Sequence, residues 1–196
     1  MMMYVVSFGL LVAVAAWLVA VYNKLNWLRA QVQDAWQQWS RVTAERNERL
    51  GHFAALMAGC LPRDAMLPRD LRRLAEDSRL ALSARPCAPR PGGLKGVRET
   101  ELGLRQRVGD SVCAIENDGA MRANADLLQG CREVTDALSL QEDIARAYDR
   151  FAGDYNHALS GPAAHVVAGV FGFVPVAQMY HPALNRRMAL RREMGA

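Results

Sequence analysis

Residues 1–22 read MMMYVVSFGLLVAVAAWLVAVY and contain no charged side chain. At 1.5 Å per residue, about 20 apolar residues make roughly 30 Å of helix, the thickness of a bilayer's hydrocarbon core. A helix satisfies its own backbone groups, as lipid requires. The run therefore predicts a transmembrane anchor over residues 1–22. A cleaved signal peptide would carry Lys or Arg ahead of the apolar run. None stands there, and the small-residue site Ala13-Val14-Ala15 would bisect the run. A soluble helix of this length would show a polar face. Tyr22 and Trp27 suit an aromatic belt on the exit side, and Lys24 and Arg29 follow at once. The positive-inside bias predicts a single-pass membrane protein with its remaining residues in the cytoplasm.

Beyond Tyr22 the apolar residues keep helical spacing. One stripe runs Leu25, Leu28, Val32, Ala35, Trp39, Val42, Arg46, Arg49, Phe53, Leu56, Cys60. Arg46 and Arg49 are its interruptions. A second apolar line, Trp36, Leu50 and Met57, lies beside it. Either a four-helix core covers both lines, or the second is a ground for self-association. Gly9, Ala13, Ala16 and Ala20, at three- and four-residue intervals on the apolar run, would then add close helix contact in lipid. No proline occurs before Pro62. Membrane run and first soluble helix are thus predicted to form one rod from about residue 3 to about residue 60.

Pro62 ends that rod, and Pro68 suits the first turn of a second helix carrying Leu67, Leu71, Leu74, Ser78 and Ala81 inward. Residues 83–96, SARPCAPRPGGLKG, hold three prolines and three glycines, so Arg85 to Gly96 is the main loop. A third helix is expected over Val97–Asn117 with Leu104, Val108, Val112 and Ile115 inward, then a turn at Asp118-Gly119. The fourth, Met121–Ser160, carries Leu127, Cys131, Val134, Leu138, Gln141, Ala145, Tyr148, Ala152, Tyr155 and Leu159. Gln141 is its only strongly polar member. A repeat near 3.5 residues is the pattern of helices crossing at about 20° in a bundle or coiled coil. No period-2 alternation between turn signals predicts a strand. The expected fold is all-α: an N-terminal transmembrane helix continuous with a long antiparallel four-helix bundle. The expected division is an anchor over 1–22, a bundle over 23–162 and a tail over 163–196. The tail is apolar at Val166, Val167, Val170, Phe171, Phe173, Val174 and Val176, then Arg-rich at Arg186, Arg187, Arg191 and Arg192. Its apolar part is expected to fold back on the bundle, with a membrane surface as the alternative.

The 196 residues leave about 170 beyond the anchor, enough for one domain with its own core. A net charge of +4, scattered and Arg-rich, points weakly to anionic lipid and not to nucleic acid. Cys60, Cys87, Cys113 and Cys131 form no Cys-x-x-Cys pair, which excludes zinc-ribbon and thioredoxin-type motifs. A di-iron bundle needs Glu-x-x-His on two helices, and the histidines, His52, His157, His165 and His181, supply none. Glu48 and His52 lie one turn apart and read as a surface pair. Gly92-Gly93 lacks the partner glycines of a nucleotide fold. Cys113 has no neighbouring histidine in sequence, and Tyr148, Phe151 and Tyr155 fall at core spacing. No catalytic, cofactor-binding or metal residue is assigned, and no cofactor is expected.

Tyr22-Asn23, Leu28-Arg29 and Ala35-Trp36 in YNKLNWLRAQVQDAWQQW (residues 22–39) resemble the opening of LemA-family proteins. Arg122-Ala123-Asn124 is similar to the family's Lys-Ala-Asn before its fourth helix. Arg146-Ala147-Tyr148, Tyr155-Asn156, Pro162 and Gly172-Phe173 resemble its closing pattern. The resemblance covers most of the chain outside Arg85 to Gly96. Departures are Arg46-Asn47 and Leu50-Gly51-His52-Phe53 where the family has Arg-Tyr and Ile-Pro-Asn-Leu, Tyr148-Asp149 for a first Tyr-Asn, and Ala137-Leu138-Ser139 for Thr-Glu-Asn. The chain looks like a divergent member. The resemblance implies a membrane-anchored, long four-helix bundle of bacteria, brings no catalytic residues, and fits a non-enzymatic scaffold. Its expected partners are membrane lipid and either further copies of itself or other membrane-associated proteins. The alternative is a cofactor-binding or enzymatic bundle whose site the sequence does not show.

Overall fold

In the computed structural model, which describes residues 2–62 and 65–180, six helices follow in order and no strand occurs among the described residues. They are α1 (Met2–Cys60), α2 (Met66–Ser83), α3 (Lys95–Asn117), α4 (Gly119–Arg122), α5 (Ala125–Leu159) and α6 (Pro162–Phe171). The 59 residues of α1 make a rod about 90 Å long. Its first third carries exposed apolar side chains from Tyr4 to Trp17 and is long and apolar enough to cross a membrane. The same helix then enters the protein core at Leu25 without a break.

Below the apolar run, α1 packs along α5 and α2, α2 packs on α3, and α6 sits against α1 and α5. The α1–α5 contact passes from Phe53 and Leu56 against Gly130 to Trp36 against Tyr148, so the two helices run in opposite directions. Gly130 permits the close approach: a Cβ there would lie 3.2 Å from Leu56 and 3.3 Å from Phe53. Apolar side chains form two clusters. The one nearer the N-terminal run gathers Leu25, Val32, Trp36, Trp39, Tyr148, Tyr155 and Leu159. The far one gathers Leu50, Phe53, Met57, Leu71, Leu104, Ile115 and Leu127.

Most of both predicted stripes is buried, Trp39 and Tyr148 included. Four details differ. Cys60 ends α1 exposed, with Asn124 Nδ2 donating to its Sγ at 3.5 Å. Trp36, Leu50 and Met57 are as buried as the main stripe, at 0% exposure: Trp36 lies in the first cluster and Leu50 and Met57 in the far one, so the packed helices cover both apolar lines. Asp118-Gly119 starts a single helical turn, α4, in which Asp118 caps the N–H groups of Ala120 and Met121. Asn124 then caps α5 through Leu127 N–H, so that helix starts at Ala125 and not at Met121.

Residues 163–180, expected in the tail, dock on the helices. Pro162 occupies the first turn of α6, and Gly172 ends it at φ +70°, a left-handed conformation that glycine adopts without strain. Ala164 and Val167 face the core, and an extended strap from Phe173 to Tyr180 buries Phe173, Ala177 and Met179. Arg186, Arg187, Arg191, Arg192 and His181 lie outside the described residues.

Candidate functional site: a buried polar layer and a clasped strap

Between the two apolar clusters lies a polar layer. Thr43, Arg46 and Asn47 of α1, Ser78 of α2 and Gln141 of α5 are buried there, and Glu101 of α3 closes the layer at 14% side-chain exposure. The Arg46 guanidinium makes a fork on Glu101, with Nη2 donating to Oε1 at 2.9 Å and Nη1 donating to Oε2. Nη1 also donates to Gln141 Oε1 at 2.8 Å. Asn47 Oδ1 accepts from Nη2 at 2.7 Å and from Nε at 3.2 Å. Gln141 Nε2 returns to Glu101 Oε2 at 2.9 Å and reaches Thr43 Oγ1 at 3.2 Å. Ser78 donates to Glu101 at 3.1 Å and accepts from Asn47 Nδ2 and Arg46 Nη2, each at 3.2 Å.

Burial on its own would raise the Glu101 pKa. The Arg46 guanidinium, with Gln141 and Ser78 donating, more than offsets it, and the carboxyl titrates below its ordinary value. Every N–H of Arg46 has an acceptor within the layer. The layer is therefore closed on itself: it ties α1, α2, α3 and α5 at one height and fixes their register. A buried pair of this kind contributes little net stability, because desolvation consumes the Coulombic gain, but losing one member leaves a buried charge unmatched.

The second arrangement is on α5. Tyr148 Oη donates to the Ala177 carbonyl at 2.6 Å and Tyr155 Oη to the Val174 carbonyl at 3.1 Å. The residue after each tyrosine also holds the strap. Asn156 donates to the Val176 carbonyl and accepts from the Val176 N–H, both at 2.9 Å. Asp149 accepts from Tyr180 N–H at 2.6 Å and from Met179 N–H. The spacing is geometric. Seven helical residues advance about 10.5 Å, and three extended residues about 10 Å, so one Tyr-Asx pair every seven residues matches the strap every three. Desolvation raises the Asp149 pKa against the opposing backbone donors and Arg98. Burial likewise pushes the Tyr148 hydroxyl up, so it stays a donor.

From the other side, Ala177 N–H donates to the Pro89 carbonyl at 2.8 Å, Arg98 Nη2 donates to the Gln178 carbonyl, and Arg105 Nη2 donates to Tyr180 Oη at 3.1 Å. The loop carrying Pro89 is pinned to α1 by the same carboxamide device. Gln33 Nε2 donates to the Pro86 carbonyl and Gln33 Oε1 accepts from Ala88 N–H. Trp36 Nε1 donates to the Arg85 carbonyl at 3.1 Å.

The stripe interruptions at Arg46 and Gln141 are thus members of one buried network. Arg49, the other interruption, is exposed. Glu101, Asn47 and Thr43 went unread. A signal for Glu101 exists: it stands four residues after Val97 and three before Leu104, on the inward line of α3. Glu48, His52 and Cys113 are exposed and join no cluster. Among the described residues no three His, Cys, Asp or Glu side chains are placed to hold a metal. Phe151 lies at the surface, apart from Tyr148 and Tyr155. No family model, curated protein or solved structure matches the chain.

Proposed function

We propose that the protein is a membrane-anchored helical scaffold of the LemA type, a divergent member without catalytic activity, whose long helices form an antiparallel four-helix bundle at the inner membrane of a bacterium. The observation that carries the reading is the continuity of α1. One unbroken helix serves as apolar run and as core element, so the body would be held rigidly against the bilayer and not tethered by a linker. The buried layer supports a structural role, since its polar groups serve one another. Lys24, Arg29 and Arg41 on one flank of the run support a cytoplasmic body.

Partners in this reading are lipid and, within the membrane plane, further copies of the chain or other membrane proteins. Burial of Trp36, Leu50 and Met57 removes one ground for self-association. Gly9, Ala13, Ala16 and Ala20, which permit close helix contact in lipid, remain its support. The test is extraction. Full-length protein should stay in the membrane pellet through high-salt and carbonate washes, and a chain lacking residues 1–22 should be released as a folded helical protein. Release of the full-length protein by carbonate would end the anchor reading. An impermeant thiol reagent that labels exposed Cys87 in intact cells would reverse the orientation.

A further inference from the structure

Among the packed helices, α6 carries no Asp, Glu, Lys or Arg, and exposed His165 is its one polar side chain. Ala164 and Val167 point to the core, yet its outward residues include Val166 at 61%, Val170 at 73% and Phe171 at 57% exposure. A surface helix of a soluble body puts charged residues there. Here no Asp, Glu, Lys or Arg occurs from Tyr155 to Asn185, a stretch that contains all of α6 and the strap. Val174, just beyond, is also exposed at 39%.

The position of this face names what covers it. Phe171 and Phe173 pack on Tyr22, the first tilted and the second edge-on, with ring centroids 4.7 and 5.7 Å away. Tyr22 is the last residue of the apolar run. Leu18, Val21 and Ala168 pack on the same cluster as Val167 and Phe173. The exposed face of α6 therefore lies level with the final turn of the apolar run. The features of a headgroup layer adjoin it: Trp27 is 60% exposed, Lys24 is exposed, and the Arg29 guanidinium lies 5.9 Å from the Phe173 ring.

We propose that α6 lies in the membrane surface, with Val166, Val170 and Phe171 among the lipid acyl chains, as a second membrane contact of the protein beside α1. The proposal rests on the anchor reading of α1. It gives the strap a role as well: by clasping residues 174–180, α5 holds α6 at the height of the interface. With two contacts, one along the bilayer normal and one in its plane, the body could neither tilt nor rotate freely about α1.

The test uses full-length protein in phosphatidylcholine nanodiscs that contain a phospholipid with a diazirine on its acyl chain. After irradiation, lipid adducts are mapped by mass spectrometry. Adducts are expected on α1 before Tyr22 and on α6, and none around Leu102 or Leu140, exposed apolar residues of α3 and α5 far from the run. In the double variant Val166→Asp, Val170→Asp, adducts on α6 should fall several-fold while those on α1 persist and the Tm in detergent stays unchanged. Labelled α1 with unlabelled α6 overturns the inference and leaves the anchor standing. Absence of label from α1 removes both. A large fall in the double variant's Tm in detergent would show that the face packs on protein and would also overturn it.

Discussion

The side chain of Asn156 and the backbone of Val176 bind each other twice, through Nδ2 to the carbonyl and through the N–H to Oδ1, both at 2.9 Å. A carboxamide has the donor and acceptor of a peptide group, so Asn156 serves the strap as a neighbouring strand would. Asn156→Ala removes both bonds and should cost about 1–3 kcal/mol. Amide exchange should accelerate over residues 173–180 well before it does in α5. Unchanged protection of the strap would show that its buried apolar residues alone hold it.

Arg46 and Glu101 should behave as one unit. Arg46→Met or Glu101→Met leaves a buried charge without its partner and should cost about 3–5 kcal/mol each. The double variant should recover much of that loss, because the desolvation cost of both charges disappears with them. Chemical denaturation of the four proteins measures the coupling, and strictly additive losses would count against a shared buried pair.

The pH dependence follows from the same residue. The Glu101 carboxyl titrates below its ordinary 4.5, so its stabilisation is complete above that value and is lost as pH falls through the lower folded value. Asp149 has the opposite sign. Its pKa is raised from 3.8, so its contribution is present below 3.8 and is lost as pH rises through the folded value. Denaturation midpoints from neutral to acid pH should therefore fall less steeply for Glu101→Gln than for wild type. Asp149→Asn sets an NH2 donor against one of the two strap N–H groups, so it should lose strap protection, while its stability should no longer decline as pH rises above 3.8. Identical pH profiles for wild type and Glu101→Gln would refute the assignment.

Trp36 and Trp39 stack at 5.1 Å and Trp36 meets Tyr148 at 5.6 Å, all three at 0–1% exposure. Replacing either tryptophan by Ala should cost about 3–5 kcal/mol, the lost transfer energy plus a cavity. Trp36→Ala additionally frees the Arg85 carbonyl, and the loop from Ala84 to Leu94 should then exchange faster. A loss under about 1 kcal/mol would mean that the site refills by collapse.

Much of this architecture could be read from residue spacing. A charge-free run as long as a bilayer is thick, a 3/4 apolar repeat and the positions of Pro62 and Gly161-Pro162 are local properties, and helices are built from local hydrogen bonds. Arg46 and Gln141 could be seen as interruptions because each breaks a period. Their purpose could not be seen. The match of Arg46 to Glu101 joins residues 55 apart, and that of Arg46 to Gln141 residues 95 apart, and only the packing of four helices sets those distances. The same holds at the ends of the molecule. Spacing alone left Trp36 beside the core stripe and the apolar segment after Pro162 without a fixed place. Tertiary packing buried the first and laid the second against Tyr22, because which face of a helix is covered depends on the neighbour that arrives and not on the helix itself.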